Sequence, residues 1–252
     1  MIGIDLGKIF KGNLKEAVNV VNRVKEEHRS YLYSGIGRAS ILLFKDDFEK
    51  SVAFIEKIPP SYRDFCYQGI FYETVMHFHK YSPINNGWDS EWDIAKVIEL
   101  LEKVDEKYKS SSCFGIGRGI MTFEFYYAES RRYLFSDLVW KSGKALEGIE
   151  ASLNGYCFQG IGVEYGRKLL NYFFAQDYFQ PEQGYSLDNR FFSEPLNKEI
   201  NRTLKGDKTL KGDDRENYYE GIKMAVLENF KDEKVRNYIL NRIRERERSS
   251  GN

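Results

Sequence analysis

The chain has 252 residues, enough to bury a sizeable core, and its 38 Lys and Arg residues balance its 38 Asp and Glu residues. This balance excludes an overall electrostatic field that would attract nucleic acid or an anionic membrane, and we expect neither as a partner. The 18 Tyr and 18 Phe, set against 5 Pro, indicate a core packed with aromatic rings. Three cysteines without a CxxC pair are too few for a disulfide framework, which favours a reducing, cytoplasmic setting.

The N-terminal segment carries IGIDLG at 2–7 and continues as KIFKGNLKEAV. Charged residues interrupt it and no long apolar run follows, so we expect neither a secretory signal nor a membrane span. IGIDLG is similar to the first phosphate-binding strand of actin-like ATPases, but the hydroxylated residues and second strand of that class do not follow. Its Gly-Ile pair matches the signature found later in the chain, and we interpret the segment as the remnant of a repeat unit.

Five later segments share an aromatic-x-Gly-Ile signature. Counted from its glycine, Ile stands at position +1 in all five, and position −2 is aromatic in four and Cys113 in the other. A string that returns in this form predicts a repeat protein. The signature glycines are Gly35, Gly69, Gly115, Gly160 and Gly221.

Apolar residues also recur upstream of the first four signature glycines. Positions −21, −14 and −11 are apolar in each of these units, and such spacings form one face of an amphipathic helix. The fifth unit has lost this pattern. Each complete unit is therefore predicted to contain two helices, the second of which carries the signature. At position −14, for example, stand Val21, Ile55, Leu101 and Leu146.

Two-helix units of this kind stack into solenoids, because each unit buries one face against the next. We therefore predict an all-α protein, an α/α solenoid (superhelix) of about five units in a single domain over 1–252. The core unit is about 34 residues long, the step from Gly35 to Gly69. The predicted units are 13–45, 46–80, 92–129, 133–177 and 214–248, with an insertion at 178–213.

Glycine inside a helix costs about 1 kcal/mol relative to alanine, so a recurrent one needs a physical reason. Small residues stand four apart in the signature segments, which places them on one helix face. We expect the backbone of a neighbouring helix to approach closely there. The pairs are Gly35 with Ala39, Gly115 with Gly119, and Gly162 with Gly166.

The insertion at 178–213 is rich in turn-forming residues and contains the tandem duplication TLKGDK and TLKGDD. Long loops of compact proteins are often functional or disordered, and we favour a mobile loop here. The last stretch, VRNYILNRIRERERSSGN, is predicted to be a capping helix with a solvated charged face.

Charged residues are few in the first turns after the signature, and four of them occupy related positions. Arg38 and Arg118 stand at +3, and Glu73 and Glu164 stand at +4. In a stacked array we expect Arg38 to meet Glu73 and Arg118 to meet Glu164, as ion pairs that fix the register of the units. Alternatively they form a polar binding patch on the inner surface. The further candidates for that patch are Tyr72, Glu124 and Arg167.

The sequence predicts no metal site, cofactor or catalytic residue. Glu73 and His77 lie four apart and could share a metal, but His79 faces elsewhere, and no further ligands stand at a workable spacing. The cysteines occupy aromatic-flanked positions just before the glycine, where a free thiol packs as a small hydrophobe. No Ser/His/Asp or Cys/His arrangement indicates a nucleophile.

The segment IPPSYRDFCYQGI at 58–70 is similar to a Pro-x-x-hydrophobic-Arg-x-Phe-x-Tyr-Glu-Gly element of a bacterial family. Members of that family are encoded beside enediyne polyketide clusters and are known as uncharacterised enediyne biosynthesis proteins. The strings YSGIG at 33–37 and FQGIG at 158–162 resemble repeated strings of the same family. This resemblance implies a repeated fold and an accessory role near biosynthesis, and it supplies no catalytic residues. More distantly, the unit looks like tetratricopeptide-like helical repeats.

Three functions follow as hypotheses. The leading one is a binding or scaffold protein whose curved inner surface grips a peptide or protein partner, as solenoids do. The alternative is an accessory enzyme or carrier that acts on an apolar small molecule in a biosynthetic pathway. A structural or oligomerising module is the third.

Overall fold

A computed structural model describes residues 13–77, 79–81, 90–92, 94–131, 139, 142–175, 210, 212–229 and 233–249. In these ranges the helices are joined by short turns, and the strands form one short antiparallel hairpin, in which His79 pairs with Trp92. The predicted helical class is confirmed, but the hairpin is not predicted, because three residues per strand are too few for a recognisable alternation. The helices are α1 (Leu14–Asn22), α2 (Glu26–Leu43), α3 (Phe48–Ile55), α4 (Pro60–His77), α5 (Ile94–Glu102), α6 (Glu106–Arg131), α7 (Ala151–Ala175), α8 (Gly212–Asn229) and α9 (Glu233–Ser249); the strands are β1 (His79–Tyr81) and β2 (Ser90–Trp92).

Several predictions fall outside the described residues. They concern the N-terminal motif at 2–7, most of the insertion at 178–213, and the side chains of Glu124 and His79. Helix α8 begins at Gly212, inside the second copy of the duplicated hexapeptide. Asp213 and Asp214 lie in the first helical turn, where the positive end of the helix dipole stabilises carboxylates. No helix within the described ranges combines the length and the apolar composition that crossing a bilayer would need.

Local sequence signals explain where the first helices begin. The side chain of Asn13 accepts a hydrogen bond from the Glu16 backbone N–H at the start of α1. Asp47 caps α3 in the same way through the Lys50 N–H, and its ion pair with the Lys50 ammonium lowers the pKa of the Asp47 carboxyl. Pro60 occupies the first position of α4, where its missing N–H has no helical partner to lose.

Two arginines at position −6 cap the C-terminal ends of α1 and α3. Arg29 and Arg63 each donate two hydrogen bonds to backbone carbonyl oxygens at or just beyond the C-terminus of the preceding helix. The helix dipole stabilises cations at the C-terminus of a helix, and guanidinium N–H groups donate to carbonyl oxygens that lack an intrahelical partner. The acceptors are the carbonyl oxygens of Val24 and Asn22 for Arg29, and of Ile58 and Glu56 for Arg63.

The chain divides into two compact units, which are described separately. Unit 1 comprises Met1–Ile120 and Ala145–Cys157, and unit 2 comprises Met121–Lys144 and Phe158–Asn252. The divisions fall inside α6 and α7, so the signature segments of α2, α4 and α6 belong to unit 1. The signature of α8 and most of that of α7 belong to unit 2.

The core of unit 1 is formed by the positions that the repeat pattern predicts. The four apolar residues at −14 and the Ile at +1 in α2, α4 and α6 are all buried. Tyr33 and Tyr67 at −2 stack on Tyr62 and Tyr108, with ring centroids 4.3 and 4.6 Å apart. Burial raises the pKa of Tyr33 and of Tyr67 to about 12, because the phenolate would be desolvated.

Glycines bring α2 and α4 of unit 1 into backbone contact. A Cβ atom at Gly37 would overlap the carbonyl oxygen of Cys66. A Cβ atom at Gly69 would overlap the carbonyl oxygen of Ser34. Position +2 of α2 therefore lies against position −3 of α4, and position 0 of α4 lies against position −1 of α2.

The same offsets return between later helices of unit 1. Gly115 of α6 lies against the Gln68 carbonyl of α4, which is again position 0 against −1. Gly117 lies against the Cys157 carbonyl of α7, which is again +2 against −3. Each overlap involves backbone atoms, so only glycine fits without a shift of one helix.

Unit 2 repeats this arrangement between α7 and α8. Gly162 lies against the Tyr218 carbonyl, and Gly221 lies against the Gln159 carbonyl. A Cβ at Gly166 would lie 2.7 Å from the Cβ of Ala225. The predicted close approach at Gly162 and Gly166 is confirmed here, as it is in unit 1 at Gly115 and Gly119.

Candidate binding surface

The two sides of the signature helices in unit 1 differ in exposure. Residues at −2 and +1 are buried, whereas most residues at −4, −1 and +3 are partly or fully exposed. Offsets of three and four place −4, −1 and +3 on one helix face. We name these residues of α2, α4 and α6, with the −4 residue of α7, the arginine–aromatic face. It consists of Tyr31, Ser34, Arg38, Phe65, Gln68, Tyr72, Ser111, Phe114, Arg118 and Tyr156.

The glycine contacts explain why these residues form one surface. Because position 0 of one helix lies against −1 of the one before, residues with the same offset become neighbours on adjacent helices. The guanidinium carbons of Arg38 and Arg118 confirm this at +3, since they lie 4.1 and 5.6 Å from the centroid of the Tyr72 ring. A guanidinium over a ring face is a cation–π contact, and Arg118 also lies 6.0 Å from the Phe114 ring.

The predicted pair of Arg38 and Glu73 is present at one edge of this face. The Arg38 Nε donates to Glu73 Oε2 at 2.8 Å. The Glu73 side chain is only 11% exposed and the Arg38 side chain 28%, so the carboxylate is covered while the guanidinium reaches solvent. A nearly buried carboxylate needs a charged partner, which the neighbouring helix supplies.

His77, at the end of α4, extends this network. Its Nδ1 lies 3.4 Å from Asp46 and its Nε2 lies 3.7 Å from Glu73. Asp46 stands in the turn after α2, where Lys45 and Asp46 both have left-handed backbone conformations. In the part of the chain that the structure describes, no group of three or more His, Cys, Asp or Glu side chains has the arrangement of a metal site.

The charged candidates in unit 2 form a separate cluster. Arg167 donates to Glu164 Oε1 at 3.1 Å and to Glu228 Oε2 at 2.8 Å. Thr122 Oγ1 donates to the other oxygen of Glu164, which is buried. Glu164 thus forms an ion pair with Arg167, which lies three residues later in the same helix. The predicted pair of Arg118 with Glu164 would join residues of different units and stays a prediction.

Three of the predicted candidates, Arg38, Tyr72 and Arg118, lie together on the arginine–aromatic face. Glu73 borders it, whereas Glu164 and Arg167 lie in unit 2. The aromatic residues at −4 and −1 were missed, although their offset from the glycine could have identified them. Tyr31 and Tyr156 are 49% and 46% exposed, which is unusual for large aromatic side chains.

The cysteines lie in the core, just before the signature glycines. Cys66, Cys113 and Cys157 form no disulfide with one another and are buried, as their aromatic-flanked positions predict. Burial raises the pKa of the Cys66 thiol well above its ordinary value, which keeps it neutral. We therefore consider the arginine–aromatic face, rather than a thiol site, the best candidate for function.

Comparison with known proteins does not assign a function to this surface. No family model matches the sequence, and neither a curated protein nor a solved structure matches it. The similarity of 58–70 to enediyne-associated proteins therefore stays a prediction. Function has to be argued from the surface itself.

Proposed function

We propose that this chain is an α/α solenoid repeat protein that binds a polypeptide partner on the arginine–aromatic face. The observation that carries the proposal is the repeated exposure of aromatic and arginine side chains at −4, −1 and +3. The same helices bury their aromatic residues at −2. Exposed rings at Tyr31 and Tyr156 therefore do not serve the core, and a partner surface is their simplest use.

The composition of this face supports a protein partner. Aromatic residues and arginine are enriched at the centres of protein interfaces, where they contribute most of the binding energy. The face contains four such aromatic residues besides Tyr72, and two arginines, but no acidic residue. Ser34, Gln68 and Ser111 add side chains that can exchange hydrogen bonds with a peptide backbone.

Backbone contact between the helices supports the solenoid part of the proposal. The offsets of 0 against −1 and of +2 against −3 both recur from one helix pair to another. A fixed register holds the exposed side chains at fixed separations, and a preorganised surface loses less entropy on binding. The three cysteines form no disulfide with one another, which fits the cytoplasmic setting that we include in this proposal.

Native mass spectrometry of the protein purified from its own cells tests the proposal. We expect a retained polypeptide that is lost in the variant Tyr31→Ala with Tyr156→Ala. The matched control is Leu227→Ala, since Leu227 of unit 2 is 53% exposed but lies outside the face. Retention of a small molecule alone would favour a carrier, and equal retention by all variants would contradict the assignment of the face.

A further inference from the structure

Basic charge is concentrated in the last helix of unit 2. Helix α9 contains six Lys and Arg residues but only three Glu, although the whole chain is neutral. Five of these six basic residues are arginine, whereas lysine is the commoner basic residue in the rest of the chain. Arginine presents a planar fork of N–H donors that matches a carboxylate, which the ammonium of lysine does not. We propose that α9 carries a second docking surface, which binds an acidic segment of a polypeptide partner.

The surface is a polar stripe on the solvent side of α9. Its four residues are all exposed and follow one another at offsets of four, three and four, which places them on one helix face. The other side of α9 is anchored in the core of unit 2 by Ile239 and Ile243, so it is not available to a lipid surface. We name the four residues the α9 stripe. It consists of Asn237, Asn241, Arg244 and Arg248.

The arginines of the stripe have N–H donors to offer to an incoming anion. Among the described residues, Arg248 makes no hydrogen bond or ion pair. Arg244 donates one long hydrogen bond, of 3.5 Å, to the neutral side chain of Asn241. Glu245, which lies beside the stripe, is paired with Arg242 at 2.7 Å. Within the described part of the chain, no carboxylate therefore compensates the two cations of the stripe.

Stabilisation of the helix itself does not account for all of these arginines. Cations near the C-terminus of a helix interact favourably with its dipole, but this effect is confined to the last turn. Helix α9 ends at Ser249, so Arg248 lies in that turn and Arg244 lies before it. Arg236 lies two turns earlier still, is partly buried, and has no ion pair or hydrogen bond among the described residues. Positive charge that the fold does not compensate is complementary to an acidic partner.

The dimensions of the stripe favour an acidic polypeptide over nucleic acid. Arg244 and Arg248 are about 6 Å apart along the helix axis, and alternate residues of an extended segment are separated by about 6.7 Å. Two carboxylates at alternate positions can therefore each accept a pair of N–H bonds from one guanidinium. The amides of Asn237 and Asn241 can exchange hydrogen bonds with the backbone of the same segment. Nucleic acid is bound by neutralising many phosphates over a broad basic surface, which a neutral chain with one short stripe does not offer.

Fluorescence anisotropy with a defined probe tests the inference. The probe is a fluorescein-labelled peptide in which Glu alternates with Ser, and its twin carries Gln in place of Glu. Neither peptide offers an apolar side chain to the arginine–aromatic face. We expect the acidic peptide to bind the full-length chain at least about tenfold more tightly than the twin. The difference should shrink as NaCl is raised, because exposed charges are screened by salt.

A pair of charge-matched variants locates the binding on α9. Arg244→Gln with Arg248→Gln should weaken binding of the acidic peptide about tenfold and leave binding of the twin unchanged. Both side chains are exposed, so circular dichroism should show the same helix content as in the wild type. The control is Arg23→Gln with Lys25→Gln, which removes two exposed cations between α1 and α2 of unit 1 and should have no effect.

The inference is overturned if the two peptides bind equally, or if the variant of Arg244 and Arg248 binds the acidic peptide as the wild type does. It is also overturned if single-stranded DNA competes as well as the acidic peptide, since the stripe would then select phosphate rather than a polypeptide. Tyr31→Ala with Tyr156→Ala should leave this binding unchanged, because both tyrosines belong to unit 1 and the stripe to unit 2. Loss of binding in that variant would assign the acidic peptide to the arginine–aromatic face and overturn this inference without rejecting the proposed function.

Discussion

The helix pair α2/α4 in unit 1 and the pair α7/α8 in unit 2 share a backbone arrangement but differ in their charges. In both pairs, glycine at +2 lies against the carbonyl at −3 of the next helix, and glycine at position 0 lies against the carbonyl at −1 of the previous one. In the first pair, Arg38 reaches across to Glu73. In the second, Glu164 is bound by Arg167 of its own helix, which then contacts Glu228.

This difference teaches that packing and polar chemistry vary independently on these helices. Glycine contacts set the separation and register of two helices and make no demand on side chains at +3 and +4. The buried carboxylate at +4 meets an arginine of the neighbouring helix in one pair, and an arginine of its own helix together with Thr122 of α6 in the other. The exposed aromatic residues at −4 can vary in the same way, which is how a repeated scaffold acquires a specific surface.

The glycine contacts should give the largest effects and should do so in both pairs. Gly69→Ala and Gly162→Ala each force a Cβ onto a backbone carbonyl, so we expect each to lower the free energy of unfolding by about 3 kcal/mol or more. Urea denaturation followed by circular dichroism measures this. Gly143→Ala is the matched control, because a Cβ there would lie 3.6 Å from the Phe158 ring, an ordinary contact. That control should be neutral or stabilising by up to about 1 kcal/mol. A large loss of unfolding free energy at one glycine and none at the other would contradict the shared arrangement.

Removing an ion pair should destabilise the two helix pairs to different extents. Arg38→Ala leaves Glu73 nearly buried without its cross-helix partner, and we expect a loss of about 2 kcal/mol, less than for a fully buried pair. Arg38→Met with Glu73→Gln should recover most of that loss in the same urea titration. Arg167→Ala should lose only about 1 kcal/mol, because Thr122 still donates to Glu164. Equal losses at Arg38 and Arg167 would remove the distinction between cross-helix and same-helix compensation.

The helix-capping arginines should stabilise unit 1 by a smaller amount. Arg63→Ala removes two hydrogen bonds to carbonyls at the end of α3, and we expect a loss of about 1–2 kcal/mol. Arg63→Lys should retain part of it, since an ammonium favours the helix end but cannot reproduce the fork of donors. Hydrogen exchange of the α3 amides reports the local effect. Unchanged exchange in Arg63→Ala would contradict the capping role.

The smallest effect at neutral pH is expected at Tyr33. Its hydroxyl is buried and, within the described residues, has no hydrogen-bond partner, so Tyr33→Phe should be neutral or slightly stabilising. A difference should emerge in alkali. Burial raises the pKa of Tyr33 to about 12 in the folded state from its ordinary value of 10.0, so the folded state holds the proton more tightly. The stability that depends on the neutral ring is complete below pH 10 and is lost as the pH rises through 12. Wild type should therefore lose more stability than Tyr33→Phe between these values, and parallel stability curves would contradict the assignment.

The sequence predicted those parts of the fold that follow from periodicity. The apolar residues at −14 and the aromatic residues at −2 are buried as expected, since both lie on one face of a regular helix. The Arg38–Glu73 pair could be predicted because corresponding stretches of adjacent helices become neighbours in a stacked array, which brings position +3 of one helix close to +4 of the next. Close approach at Gly115 with Gly119 and at Gly162 with Gly166 could be predicted because small residues four apart share a face.

Other features depend on contacts that periodicity does not encode. Gly37 was not recognised as a contact with Cys66, because only the register between two helices shows which glycine meets a carbonyl. The capping by Arg29 and Arg63 depends on the path of the chain between helices. Composition indicates only that rings are abundant and does not distinguish a buried ring from an exposed one, so the exposed aromatic residues at −4 have to be identified by their offset from the glycine.

Site-specific photo-crosslinking in the protein's own cells tests the central claim most directly. A photoreactive phenylalanine analogue is placed at position 31 or 65 on the arginine–aromatic face, and at Ala53 as an exposed control on α3. The account predicts one crosslinked polypeptide of the same mass at 31 and 65, and none at 53. Crosslinks of equal yield at all three positions, or none at 31 and 65 in a folded protein, would contradict it.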